Sequence, residues 1–264
     1  MREILDIKEI MGIELSIMKY IHDFCINNEI NYFLWGGTLL GAIRHNGFIP
    51  WDDDIDIAMY RQDYNRFIEL FDSNRYGVFS CTKNKDYPYS YAKVFDKLTA
   101  KIEPVRVRRR FQIGIDVDIF PIDNNVELSH TDISERSLIL KRRQNSSLGK
   151  PKVKNFKDIL RLVRYFGYGF IFRKPNYYAK KLNEIPNNKI TNDFMLYADS
   201  NIKQPLIIKH EWISELTLHK FEDTEFYIPI GYDKLLTACY GDYMTPPPVE
   251  KQITHHSNKM YWKE

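Results

Sequence analysis

Between residues 4 and 25 apolar side chains recur at helical spacing: Ile4, Ile7, Ile10, Met11, Leu15, Met18, Ile21 and Phe24 or Cys25. The pattern predicts a helix over 3–28, broken by Asn27-Asn28. Tyr32-Phe33-Leu34-Trp35 is a short apolar run of the kind a buried strand uses. Gly36-Gly37 turns the chain, and Thr38 is expected to cap a short helix carrying Leu39, Leu40 and Ile43. Asn46-Gly47 marks a turn, and Pro50 keeps Ile49 extended. The period then drops to two, predicting a strand over 54–59, followed by a helix near 61–72. Further strands are expected at 76–81, 90–95, 98–103 and 111–120, the last closed by Pro121. Helical patterns dominate 130–200, and FEDTEFYIPIG and YDKLLTACYG, within 221–250, return to strand and helix. Pro246-Pro247-Pro248 marks an extended tail. No internal repeat is visible. This order predicts an α/β (α+β) protein with a mixed sheet flanked by helices. One domain is expected over 1–264, including a helical, basic insertion at 130–200.

Composition narrows the class. A chain of 264 residues with 44% hydrophobic content can bury one sizeable core. With 18 Tyr and 16 Phe that core should be rich in rings. A formal net charge of +3 gives no global argument for nucleic acid, and none is expected as a partner. Cys25, Cys81 and Cys239 lie far apart and form no CxxC pair, which predicts reduced thiols in a cytoplasmic compartment. The opening MREILDIKEIMGIEL is charged throughout and lacks the apolar stretch of a signal peptide. No window is long and uncharged enough to span a bilayer.

Charge patterning points to chemistry. Asp52, Asp53, Asp54 and Asp56 cluster beside Trp51, and two of them bracket Ile55 ahead of Ile57. In a strand, residues two apart share a face, so Asp54 and Asp56 point one way while Ile55 and Ile57 point to the core. Two carboxylates so placed repel and raise each other's pKa unless a cation neutralises them. Mg²⁺ suits the role, since it binds through a few carboxylates and takes its other ligands from water and phosphate. A solvated acidic turn is the competing reading, and the alternation with isoleucine argues against it. An EF-hand loop fails, because Ile57 stands where its glycine belongs and Asp63 where its glutamate belongs. A second acid strand, IGIDVDIFPID, alternates Asp116 and Asp118 with Ile115, Val117 and Ile119.

A strand ending in Gly-Gly, then a helix, then a strand bearing Asp-hydrophobic-Asp, resembles the nucleotidyltransferase superfamily. More narrowly, WGGTLLGAIRHNGFIPWDDDIDIAM is similar to the signature of the LicD family. That family includes bacterial phosphocholine transferases and is related to fukutin and fukutin-related protein. GIDVDIFPID is similar to its second motif, and YIPIGYDKLLTACYGDYMTPPP, followed by His255-His256, to its C-terminal signature. These motifs span residues 32 to about 256; the stretch 130–200 carries none.

The resemblance implies a metal-dependent transferase with a nucleotidyltransferase-like fold and Mg²⁺ (or Mn²⁺) as cofactor. It implies transfer of phosphocholine from a cytidine diphosphate-linked donor to a hydroxyl of a cell-surface glycan precursor, of teichoic acid or lipopolysaccharide type and lipid-linked. Glycerol or ribitol phosphate is the alternative cargo. A nucleotidyltransferase acting on a small molecule or a protein, and a non-catalytic glycan- or nucleotide-binding relative, are the other classes; the intact Asp pairs argue against the last. By the same resemblance Asp54 and Asp56 hold the metal, and Asp118, just before Phe120-Pro121, supplies the third carboxylate as ligand or base. Asp116 shares its face and is the competing candidate. Gly36, Gly37 and Thr38 are assigned to the donor phosphate, which a turn without side chains lets the backbone N–H groups approach. Arg44, His45 and Lys93 are candidate cationic phosphate contacts, and His255 is a candidate reaching in from the tail. Asp52 and Asp53 are expected to hydrogen-bond the preceding loop or to support the ligands from behind.

Between 141 and 181 Lys and Arg occur throughout and Asp158 is the sole acid. Phe156, Ile159, Leu160, Val163, Phe166 and Phe170 recur there at helical spacing. A basic amphipathic helix of this kind predicts peripheral contact with the anionic inner membrane face. A helix packed on the domain with its basic face in water is the competing reading.

Overall fold

The computed structural model describes residues 1–102, 113–126, 130–146, 153, 156–171, 174–184, 190–196, 207–253 and 259–263. The chain opens with a short strand, β1 (Arg2–Ile4), and helix α1 (Ile7–Asn27), separated by Asp6, whose carboxylate caps the helix by accepting the Lys8 N–H at 2.9 Å. The predicted helix over 3–28 therefore begins later, because an N-cap residue must be extended. Its buried face runs Ile10, Ile13, Glu14, Ile17, Met18, Ile21 and Cys25, an apolar stripe with one acid inside it.

There follow β2 (Phe33–Leu34), α2 (Gly36–His45), β3 (Asp56–Tyr60), α3 (Arg61–Leu70), β4 (Tyr76–Phe79), β5 (Ala92–Asp96), β6 (Thr99–Ile102) and β7 (Asp116–Val126). Helices α4 (His130–Ser146), α5 (Phe156–Ile171) and α6 (Pro175–Asn183) come next, then β8 (Ile190–Leu196) and β9 (Ile207–Lys209). The chain ends with α7 (His210–Ile213), β10 (Leu216–Phe221), β11 (Thr224–Pro229), α8 (Tyr232–Tyr240) and β12 (Lys259–Trp262). The predicted mixed α/β class is what these elements build.

The central sheet runs β2-β3-β7-β5-β4, with β8 on β7 and β9 on β8. Among the described strands of this sheet only β3 and β7 pair in parallel; the other pairs are antiparallel. Ile57, Ala58 and Met59 of β3 and Val117 and Ile119 of β7 are fully buried, as befits strands covered on both faces. Arg61 at the start of α3 forks onto Asp123 of β7, with Nε and Nη2 each 2.5 Å from a carboxylate oxygen, and bolts helix to sheet. Burial alone would lower the Arg61 pKa; its bonds to Asp123 outweigh that and raise it.

Pro121 does not close β7, which continues to Val126. The Asp118 N–H donates toward β3, to the Ile55 carbonyl, at 2.9 Å. Alternation turns the nitrogen of Pro121 to the opposite side. On that side the pairing with β5 has already ended at Ala92↔Ile119, so the missing donor costs no bond to β5. The insertion 130–200 is not purely helical either, since β8 joins the central sheet.

The chain beyond the three prolines is not simply a tail. Strand β12 is the middle strand of a second, three-stranded sheet, β1-β12-β6. Met260 on it is 1% exposed and joins the main core. The Trp262 Nε1–H donates to Glu9 of α1 at 2.8 Å. At the hairpin turn, the Glu222 N–H donates to the Asn46 carbonyl and its carboxylate accepts the Phe48 N–H, fixing the loop that leads into the acid cluster. Met260→Ala is expected to cost about 2–4 kcal/mol through lost burial and the cavity left behind. Thermal unfolding should show Tm lowered by roughly 4–16 °C; an unchanged Tm would mean that β12 does not hold the fold.

Candidate active site

The acids meet where β3 and β7 begin side by side. Parallel register sets Asp56 directly opposite Asp118. The Asp118 N–H donates to the Ile55 carbonyl and fixes this pairing, while the Trp35 N–H donates to the Asp56 carbonyl and holds the end of β2 to β3, each at 2.9 Å. Asp54 and Ile55 precede β3 rather than lying in it, so the strand starts two residues later than the period predicts. Ile55 and Ile57 are nevertheless fully buried, as the alternation requires. Burial, then the charges of Asp54 and Asp118, pushes the Asp56 carboxyl well above the ordinary carboxylate range.

Gly36 and Gly37 open α2 immediately beside these acids. Gly36 has φ +56°, a conformation glycine adopts without penalty. A Cβ there would lie 3.3 Å from Asp56 Oδ2, and one on Gly37 would lie 2.8 Å from Asp52 Oδ2. The glycines thus let two carboxylates approach the first turn of a helix, whose N–H groups carry partial positive charge. Thr38 is not the cap, since Trp35 occupies that position without a side-chain bond. The buried Thr38 hydroxyl instead accepts the Asp56 N–H at 2.8 Å and ties the helix start to the strand start.

Asp116 and Asp118 share a face but not an environment. Lys93 of β5 donates to both, and Lys101 of β6 donates to Asp116 at 2.8 Å. The Asp116 side chain is 1% exposed and that of Asp118 is 19% exposed, so a solute can reach only the second. Burial would raise Asp116, but Lys101 and Lys93 outweigh it and hold the carboxyl below the usual range. For Asp118 burial wins over the pull of Lys93, and its pKa rises to about 6. Burial alone would lower Lys93; Asp116 and Asp118 keep it charged, with a pKa well above the ordinary value. Lys93, expected to meet phosphate, is therefore a buried counter-ion, and its ammonium also lies 5.5 Å from the centre of the Tyr91 ring.

Arg44 and His45 sit at the other end of α2 from Gly36. Arg44 Nη1 donates to the Tyr243 carbonyl at 2.9 Å, while the His45 ring stands edge-on to Trp51. Burial lowers the pKa of both, and Arg44 lowers His45 further. Asp53 is buried and Asp52 lies against Gly37. His255 and His256 fall outside the described residues.

Two groups escaped the sequence reading. Glu14 of α1 is fully buried, and neither carboxylate oxygen has a hydrogen-bond partner among the described residues. Burial, and then the charges of Asp54, Asp116 and Asp53, raises its pKa well above the ordinary value, with Lys101 alone opposing. Its signal was an acid at a position where the stripe Ile10, Ile13, Ile17 calls for an apolar residue. The Tyr240 hydroxyl, from α8, lies 3.9 Å from where a Gly36 Cβ would stand. Burial, Cys239 and then Asp56, Asp52 and Asp54 raise its pKa. Nothing in the alternating pattern of α8 marked it.

Among the described residues no three acidic, imidazole or thiol side chains are arranged to enclose a metal by themselves. The donor set still fits a hard divalent cation, because Mg²⁺ commonly takes one or two carboxylates and completes its shell with water and phosphate. The uncompensated charge at Asp56, beside Asp54 and Asp118, is the feature such a cation relieves.

A family model described as LicD/FKTN/FKRP, nucleotidyltransferase domain, matches residues 29–161. The chain is 29% identical over 265 aligned residues to the lipopolysaccharide cholinephosphotransferase LicD of Haemophilus influenzae, covering 97% of this chain and 98% of that protein. It is also 53% identical over 41 residues to the ribitol 5-phosphate transferase FKRP of human and of mouse, covering 16% of this chain and 8% of each relative.

Asp116→Ala strips two buried lysines of their shared partner and is expected to cost about 3–5 kcal/mol of stability, whereas Asp118→Ala should leave Tm nearly unchanged. Melting curves of the two variants check this; equal Tm losses would erase the distinction between them. A second expectation concerns Asp56. Its unfolded pKa is near 3.9 and its folded value is raised, so its contribution to stability is fully present below about pH 4 and is lost as pH rises through the folded value. At about pH 7, Asp56→Asn should therefore raise Tm of the metal-free chain, by about 2–4 °C for each kcal/mol of repulsion removed, and give no gain near pH 3. A lower Tm at neutral pH would show that the carboxylate is already compensated.

Proposed function

The chain belongs to the LicD/FKTN/FKRP nucleotidyltransferase-domain family, and from that premise we propose that it transfers phosphocholine from a cytidine diphosphate-linked donor to a hydroxyl of a cell-surface glycan precursor. The observation that carries the reading is the pair of facing carboxylates, Asp56 opposite a solute-accessible Asp118, beside Asp54 and the N-terminus of α2. Choline is favoured over other alcohols by the near full-length similarity to the H. influenzae cholinephosphotransferase. Ribitol phosphate is the second reading, favoured by the short but closer match to FKRP.

In this mechanism Asp54 and Asp56 would hold Mg²⁺ or Mn²⁺, which leaves Asp118 to serve as the base. The cation, when bound, supplies charge neutralisation to the donor diphosphate and the departing phosphate. The chain's own groups do the rest by position. The N–H groups of Gly36, Gly37 and Thr38 face the donor phosphate with the positive end of α2 behind them. Asp118, raised to about 6, holds a proton-accepting oxygen near neutral pH and takes the proton of the acceptor hydroxyl. The freed oxygen bonds to the phosphorus that bears choline, the bridging P–O bond breaks, and cytidine monophosphate leaves with the electron pair. Lys93 stays charged behind Asp118 and keeps it oriented.

The reading is tested with purified protein, Mg²⁺, a glycan-precursor acceptor and cytidine diphosphate-linked choline, glycerol or ribitol, scoring released cytidine monophosphate. Choline should give the fastest release, and Asp56→Asn or Asp118→Ala should lower it by at least about a hundredfold. Release with ribitol alone favours the second reading. Transfer of the nucleotide itself, or no release with any donor, overturns both.

A further inference from the structure

Helix α5 carries an exposed apolar face. At 100° per residue, Phe156, Ile159, Leu160 and Val163 fall within an arc of roughly 100°. They are 74%, 45%, 60% and 65% exposed, and Ile171 at the helix end is 71% exposed. Single exposed apolar residues are ordinary on a protein surface, but a contiguous row along one helix face is not. The inner side of the helix is marked by Asp158, 4% exposed, and Leu162, half-buried one turn later. Lys157, Arg161 and Arg164 are exposed along one flank of the apolar arc.

The charges are sorted as well as the apolar groups. Asp158 is the only acid between 141 and 181, and the fold turns it inward, where it accepts from Arg161 at 2.9 Å. The outward surface of α5 therefore presents apolar side chains edged on one flank by Lys157, Arg161 and Arg164. An anionic lipid interface calls for this combination: an apolar face to enter the acyl boundary and a cationic margin to meet the headgroups. No helix among the described residues is long and apolar enough to cross a membrane, so the contact is one of lying on the surface.

We propose that α5 docks the protein on an anionic lipid bilayer, with Phe156, Leu160 and Val163 inserted at the interface and Lys157, Arg161 and Arg164 among the headgroups. The contact is independent of the transfer chemistry, since none of these residues belongs to the carboxylate site.

The full chain is sedimented with phosphatidylcholine vesicles and with vesicles that also contain phosphatidylglycerol. Binding should require phosphatidylglycerol, weaken as salt is raised and persist in part, because the apolar contribution is not screened. Lys157→Gln should lower partitioning about fivefold at low salt. Leu160→Gln with Val163→Gln should lower it by more than about tenfold at any salt, with Tm unchanged because both side chains are exposed. Amide hydrogen exchange supplies a readout without substitution: residues 156–171 should gain protection on phosphatidylglycerol vesicles and not on phosphatidylcholine alone. Equal binding to both vesicle types, no binding to either, or a solution dimer that Leu160→Gln dissociates, would each overturn the proposal, the last by assigning the face to a second copy of the chain.

Discussion

The parallel pairing of β3 with β7 is the constraint on which the rest of the site depends. Its register puts Asp56 against Asp118 at the edge of a core whose neighbouring residues, Ile55, Ile57 and Ile119, are fully buried. Like charges so placed in a poorly solvated region are costly. The surroundings can be understood as responses to that cost. Two lysines come in on β5 and β6, a helix starts with its positive end toward the acids, and two glycines leave room for the carboxylates to approach it.

The response is uneven, and the unevenness separates Asp116, Asp118 and Asp56. Asp116 has both lysines and almost no exposed surface, so its charge is satisfied inside the fold. Asp118 has only a share of Lys93 and keeps part of its surface open. Asp56 is raised by burial and then by the charges of Asp54 and Asp118. Negative charge is thus left over where a solute can reach it, the condition under which a cation and a phosphate-bearing donor bind together. Glu14 extends the acidic face from behind, on α1, which packs against β5 and β7 of the central sheet and against β1.

The helical part of the chain is tied to this site through the segment that leads to Lys93. Asn183 at the end of α6 donates to the Ser90 carbonyl at 3.1 Å and lies 3.5 Å from Nη2 of Arg61, the residue that clamps β7 through Asp123. Asn176 at the start of α6 donates to the Cys81 carbonyl. Movement of α6 would therefore be felt at the strand carrying the counter-ion. The outer helix, α5, has a different composition and a different exposure, which accords with a role toward a surface rather than toward the reaction.

What the sequence determined by itself was whatever depends on neighbours a few residues apart. The stripe of α1, the strand at 56–60, the helices at 61–70 and 232–240 and the amphipathic α5 all follow from periodicity, because local backbone geometry converts spacing directly into faces. The acid pairs were visible for the same reason. The tertiary structure decided what each acid meets. That Asp116 and Asp118, identical in pattern, differ in partner and exposure depends on Lys93 and Lys101, which lie on other strands. That Lys93 is an internal counter-ion, that Thr38 holds the start of β3, and that the C-terminal strand lies between β1 and β6 are likewise long-range pairings. Pro121 misled for the same reason, since whether a missing N–H ends a strand depends on which neighbour it would have faced. Spacing fixes the direction in which a side chain points, and only the assembled sheet fixes what lies in that direction.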